Sequence, residues 1–207
     1  MRVLITGAGG QLGTDIALHC TAAGDEVRAF DRAGLDVTDR SAVLSAVTSL
    51  RPDVVMHCAA WTAVDACEAD PDRAFQANGV AVRWVAEACD RVGAHLVHVS
   101  TDYVFDGTLD RPYRETDATG PRSVYGSSKL AGEHEALALG TRAAVVRTSW
   151  VSGQHGSNMV KTVMRLANER PQLQFVADQV GHPTFTADLA VVLRRIGLDR
   201  LSGVVHA

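Results

Sequence analysis

The feature that most constrains this chain is an alternation of short apolar runs with helix-period patterns, sustained from the first residues onward. "RVLITG" (2–7) has the character of a strand that ends in glycine, and "QLGTDIALHCTAAG" (11–24) spaces Leu12, Ile16, Ala17 and Cys20 at helical intervals, with Gly24 as its stop. Strand signals recur at 26–31, 53–60, 95–101 and 143–150, separated by helical patterns at 39–52, 71–93 and 125–140. Asp39 is placed to cap the second helix, and Pro71 and Gly93 bracket the third. Such repetition builds βαβ units, and strands apolar along their whole length belong in a parallel sheet covered on both faces. Right-handed crossovers then give a Rossmann-type, doubly wound α/β fold. Ligands of such sheets bind beyond the carboxyl ends of the strands. "TGAGGQLG", "FDR", "CAAWT", "STDYVFDG" and "RTSWVSG" all fall there.

"TGAGGQLG" joins the first strand to the first helix and sets Gly7, Gly10 and Gly13 three residues apart, with Gln11 and Leu12 inside the loop. The expected roles are a tight turn at Gly7, close backbone approach to a pyrophosphate at Gly10, and close helix–sheet packing at Gly13. A bare glycine triplet is weak evidence; its place after the first strand makes it a dinucleotide site. Asp31, at the end of the second strand, suits a ribose hydroxyl and hence NADH, whereas Arg32 beside it suits a 2′-phosphate. The pair leaves NADPH and NADH both open.

"SVYGSSKLAGE" (123–133) puts Tyr125 and Lys129 one helical turn apart. A cation near a phenol favours phenolate, lowers the phenol pKa and makes it a proton donor at working pH. By itself this spacing is common and carries little.

Bulk properties set outer limits. The 207 residues suit one domain or one domain and part of a second. A net charge of −4 lacks the basic excess of a nucleic-acid binder. The apolar runs are too short to span a bilayer, and the N-terminus enters a strand pattern without a leader, so a membrane role is not expected. The four cysteines, Cys20, Cys58, Cys67 and Cys89, form no C-x-x-C pair and read as free thiols in a reducing cytoplasm. The eight histidines show no metal-ligand spacing.

Together, "ITGAGGQLG" (5–13), "AVDACEADPDRAFQANG" (63–79), "VHVSTDYVFDG" (97–107), "YRETDATGPRSVYGSSKLAGE" (113–133), "RTSWVSGQHGSNMVKTVMRLANER" (147–170) and "DQVGHPT" (178–184) resemble the extended short-chain dehydrogenase/reductase superfamily, and within it the dTDP-4-dehydrorhamnose reductases. The resemblance implies a cytoplasmic enzyme that reduces the C4 ketone of a dTDP-sugar with NADPH. It implies Tyr125 as proton donor, Lys129 on the nicotinamide ribose, and Thr101 bonded to the carbonyl oxygen or the phenol. It further implies Ala59, Ala60, Trp61 and Thr62 along the cofactor, Asp36 and Val37 beside the adenine, and Asp102, Trp150 and Asn158 on the substrate. Asn78 reads as ordering nearby backbone, and His182 as a loop residue.

The expected division is a nucleotide-binding domain over 1–150 and a partial substrate-binding region over 151–207, because members of this family are longer. Ser152 departs from the family, which usually carries an aromatic there, and puts the packing beside Trp150 in doubt. Some relatives use Mg²⁺ at a dimer contact; a homodimer stays open, but no acidic cluster here supports a metal. The resemblance also leaves open a ketoreductase for another deoxysugar, a non-catalytic regulatory subunit, and an epimerase or dehydratase. Tyr103 disfavours a dehydratase, which tends to carry Glu at that position.

Overall fold

β1 (Arg2–Thr6) is buried from Val3 to Thr6, on both of its faces, as a strand in the middle of a covered sheet must be. The computed structural model describes all of residues 1–207. From β1 the chain runs through α1 (Gln11–Ala22), β2 (Glu26–Phe30), α2 (Arg40–Leu50), β3 (Val54–His57), α3 (Val64–Ala69), α4 (Pro71–Phe75), α5 (Ala81–Val92), β4 (His95–Thr101), α6 (Val124–Leu137) and β5 (Ala143–Thr148). It continues through β6 (Val151–Ser152), α7 (Met159–Glu169), β7 (Thr184–Phe185), α8 (Thr186–Asp199) and β8 (Gly203–His206). Six strands form one wholly parallel sheet in the order β2-β1-β3-β4-β5-β8, and β6 and β7 form a small second one. This is the doubly wound Rossmann-type fold.

Successive residues of each strand supply opposite layers of core. Leu4, Val55, Leu96 and Val145 pack with residues of α2, α5 and α6. Val3, Ile5, Val54, Met56, Val97 and Val146 pack with Ile16 and Cys20 of α1 and Leu189, Leu193 and Ile196 of α8. Asp39 caps α2 by accepting from the Ala42 amide at 3.1 Å, as its position predicts. α8 and β8 thus return the chain from the 151–185 excursion to the main sheet.

The structure corrects the helix expected over 71–93. Pro71–Phe75 and Ala81–Val92 are α-helical, but Gln76–Val80 between them is a π-helix. There α6 crosses so closely that a Cβ on Gly132 would collide with the Asn78 carbonyl oxygen. The widened turn directs the Asn78 side chain inward. The sequence reading also passed over α3, α7 and α8. α7 buries no residue and leaves Met159, Val160 and Met164 exposed.

Candidate active site

The strand order reverses between β1 and β3, and the glycine loop sits at that switch. Gly7 has φ +71°, and a Cβ there would lie 2.7 Å from the Ala59 nitrogen. A Cβ on Gly13 would overlap the Gly7 carbonyl oxygen, so any larger residue would push α1 off the loop. Gly10 precedes α1 and offers no side chain to cap it. The bare helix N-terminus, with its partial positive charge, therefore opens on a narrow cradle that suits a pyrophosphate.

The cradle is one end of a cavity of about 1720 Å³ that every candidate residue except Asn158 lines. Asp31 accepts from the Gly34 amide at 2.8 Å and so shapes its own loop, while Arg32 forms no ion pair. The Asp36 carboxyl is held below the usual range by the Thr38 amide and hydroxyl, at 3.0 and 2.7 Å. Val37 is buried beside it.

At the other end of the cavity, α6 starts at Val124 behind Ser123, whose hydroxyl accepts from the Gly126 amide at 3.0 Å. That cap brings Tyr125 into the first turn and Lys129 one turn on, and both are buried. The Lys129 ammonium donates to the Val99 carbonyl at 2.7 Å, and burial lowers its pKa to about 8. The Tyr125 phenol is pushed up to about 12 by burial, a rise that its contact with the Thr101 hydroxyl opposes. The expectation that Lys129 lowers the Tyr125 pKa is thus corrected: burial raises it, and Lys129 is not among the groups that act on the phenol. Thr101 is buried at the end of β4, donates to the Asp102 carboxylate at 3.0 Å and accepts from the Tyr103 amide at 3.2 Å. Burial raises the Asp102 carboxyl.

The model of a family described as the RmlD substrate binding domain matches residues 1–207. A dTDP-4-dehydrorhamnose reductase from Streptomyces griseus is 47% identical over all of this chain and 68% of its own length. The chain belongs to the dTDP-4-dehydrorhamnose reductase family. A dTDP-4-dehydrorhamnose reductase from Bacillus anthracis, solved in complex with NADP, superposes with a TM-score of 0.96 at 42% identity, over 100% of this chain and 73% of that one. A relative from Streptomyces niveus described as a dTDP-4-keto-6-deoxy-D-glucose reductase is 41% identical over 99% of this chain and 72% of its own.

Within this reductase-family frame, two sets of residues hold the site in shape. Asn78 ties the Trp61 backbone to Ser128 of α6, as its sequence context suggested. Glu133 accepts from Ser100 at 2.6 Å and from Arg147 at 2.7 Å, joining α6 to β4 and β5 directly behind Thr101. The sequence reading missed this second set. Its signal, a Glu one turn beyond Lys129, has meaning only once the strands are in register. Cation–π contact of Arg73 with Trp61, at 4.3 Å, went unforeseen for the same reason.

Trp150 is half-exposed at the cavity wall and holds a left-handed φ of +46°, unusual for a bulky residue. Ser152 is buried behind it and donates to the Trp150 carbonyl at 3.3 Å, so the small residue is accommodated rather than disruptive. Asn158, expected on the substrate, lies outside the cavity lining. Its amide caps α7 at Lys161 and donates to Gln11 and to the Gly153 carbonyl. His182 lies in an exposed loop and offers its carbonyl to Ser149. No group of three or more His, Cys, Asp or Glu side chains is arranged so that it could hold a metal ion.

Proposed function

We propose that this chain reduces the C4 ketone of dTDP-4-dehydro-L-rhamnose to the alcohol with NADPH. The observation that carries the reading is that Thr101, Tyr125 and Lys129 converge on one cavity with the glycine cradle at its far end. A bound nicotinamide supplies the hydride. As negative charge develops on the ketone oxygen, Tyr125 delivers its proton there, and the Thr101 hydroxyl turns from Asp102 to donate a hydrogen bond to it. A phenol pushed up to about 12 stays protonated until that moment, which suits a donor in reduction. Lys129 holds the nicotinamide ribose and offsets the phenolate left behind. Arg32 is the cation available for a 2′-phosphate, which favours NADPH over NADH. Trp150 and Asp102 are assigned to the sugar. Residues 1–150 with α8 and β8 make the nucleotide-binding unit, and 151–185 supply its substrate-facing wall. The four free cysteines fit a reducing cytoplasm.

The test is the loss of NADPH absorbance with dTDP-4-dehydro-L-rhamnose generated in place, run beside NADH. Oxidation that needs the sugar nucleotide supports the reading; tight NADPH binding without oxidation by any dTDP-ketosugar overturns it. The Streptomyces niveus relative, described as acting on a different deoxysugar, favours one second reading, a ketoreductase for another dTDP-deoxysugar, and the same assay with that ketone distinguishes the two.

A further inference from the structure

Two histidines lie beneath the Tyr125–Lys129 turn and take no part in the reduction as written. His57 of β3 and His98 of β4 are register partners, and both are fully buried. Their rings stack with centroids 5.3 Å apart at 23°. His57 Nδ1 meets the Thr6 hydroxyl at 2.7 Å, and its Nε2 has no partner. His98 Nε2 lies 3.4 Å from Lys129 Nζ, and its Nδ1 has no partner. The stack puts no hydrogen bond between the two rings, so it is not a proton wire.

The ammonium has a charge and three N–H donors, and it is almost wholly buried at the cavity wall. Its polar partners are the Val99 carbonyl and the His98 imidazole. Glu133, one turn further along α6, attracts Lys129 but is already bonded by Ser100 and by Arg147 of β5. Cys58, just beyond β3, is a thiol that burial keeps protonated, pushed up to about 12. Tyr125 shares the helix face and is protonated, and the Arg83–Glu135 pair, reaching from α5 to α6, is exposed. No carboxylate therefore sits directly on the ammonium.

We propose that His98 is a positioning residue for Lys129: as a neutral imidazole accepting at Nε2, it keeps the buried ammonium charged and aimed, leaving one N–H for a ligand in the cavity. That the ligand is the cofactor ribose rests on the function proposed above. Only an uncharged ring can accept, and burial holds His98 well below the usual histidine range, with Lys129 itself adding to the effect. The ring stays an acceptor throughout the range where Lys129 titrates. His57 supports the ring by stacking and has no bond to Lys129.

The test is a pH titration of Lys129 in the cofactor-free chain by NMR of ¹³Cε-labelled lysine, with the signal assigned through Lys129→Arg. The native chain should titrate near pH 8. His98→Leu should move the midpoint down by roughly one pH unit, the effect of removing one hydrogen bond from a buried cation. His98→Gln, whose amide oxygen reaches the Nε2 position, should restore it, and His57→Phe should leave it in place. If His98→Leu does not fold, His98→Asn serves, since its shorter amide falls short of Nζ and the midpoint should still drop. An unmoved midpoint in the Leu or Asn variant overturns the proposal, as does an equal drop with His57→Phe. NADPH affinity against pH is measured alongside. If the lysine midpoint shifts and the affinity profile does not, His98 holds Lys129 but the ribose contact is wrong.

Discussion

The Asn78 side chain grips both backbone polar atoms of Trp61. The Trp61 amide donates to Oδ1 at 2.8 Å, and Nδ2 donates to the Trp61 carbonyl at 3.0 Å. The same Nδ2 reaches Ser128 Oγ at 3.0 Å, so one fully buried amide sets the cavity wall after β3 against α6. Asn78→Ala would remove the only partner of the Trp61 amide, the stronger partner of its carbonyl, which keeps the Cys67 thiol at 3.8 Å, and the tie to Ser128. It should cost about 3 kcal/mol of stability, read in urea as a lower midpoint with an unchanged slope, and turnover should fall with it.

Tyr125→Phe keeps the ring that packs edge-on against Tyr103 and removes only the hydroxyl that would give the proton. Turnover should drop by about a hundred- to ten-thousand-fold, with NADPH affinity and melting temperature near native. A variant that keeps most of its rate would remove Tyr125 from the donor role.

Arg32 is exposed at the glycine-cradle end of the cavity, where the proposed function puts the adenosine, and forms no ion pair. Arg32→Ala should weaken NADPH binding by about tenfold, the scale of one charge-assisted hydrogen bond to phosphate, and leave NADH binding unchanged. Equal effects on both cofactors, read by fluorescence titration, would place the 2′-phosphate elsewhere.

The buried imidazoles predict an acid limb of stability. Burial lowers the His57 pKa from 6.5 to about 3 in the fold, with Lys129 adding to the shift, so the folded ring binds fewer protons than the unfolded one between those values. Stability is full above pH 6.5 and falls as pH drops, by roughly 1.4 kcal/mol per pH unit for each such histidine, levelling for His57 near pH 3. His57→Asn should make the slope between pH 6 and 5 shallower by about one proton's worth. Denaturant midpoints across that interval measure it, and an unchanged slope would mean that His57 is charged in the fold.

Trp150 stands at the cavity wall in a strained backbone conformation, where a smaller ring keeps the backbone and loses contact area. Trp150→Phe should raise the KM for the sugar nucleotide and leave NADPH affinity alone. A change confined to NADPH affinity would place Trp150 on the cofactor instead.

Much of this protein follows from signals that act within a turn or a strand. The parallel sheet is legible because its central strands are apolar on successive residues, as strands buried on both faces must be. The glycine loop is legible because Gly7 and Gly13 meet obstacles a few residues or one strand away, and the cap Asp39 bonds an amide three positions on; Ser123 caps α6 in the same way, but the sequence reading did not name it. What the tertiary structure decided depends on register between segments far apart in the chain. His57 stacks on His98 only because β3 pairs with β4 in one alignment, and Glu133 meets Ser100 and Arg147 only because α6 crosses two strand ends. Asn158 caps α7 and bonds Gln11 because α7 begins there against the glycine loop. Even the Tyr125–Lys129 pair, named by its spacing, took its electrostatics from the fold: one turn of helix puts the two on a common face, but burial set both pKa values, and the ammonium turned to the Val99 carbonyl and His98. Spacing in a sequence fixes direction along one element, whereas desolvation depends on everything packed around it.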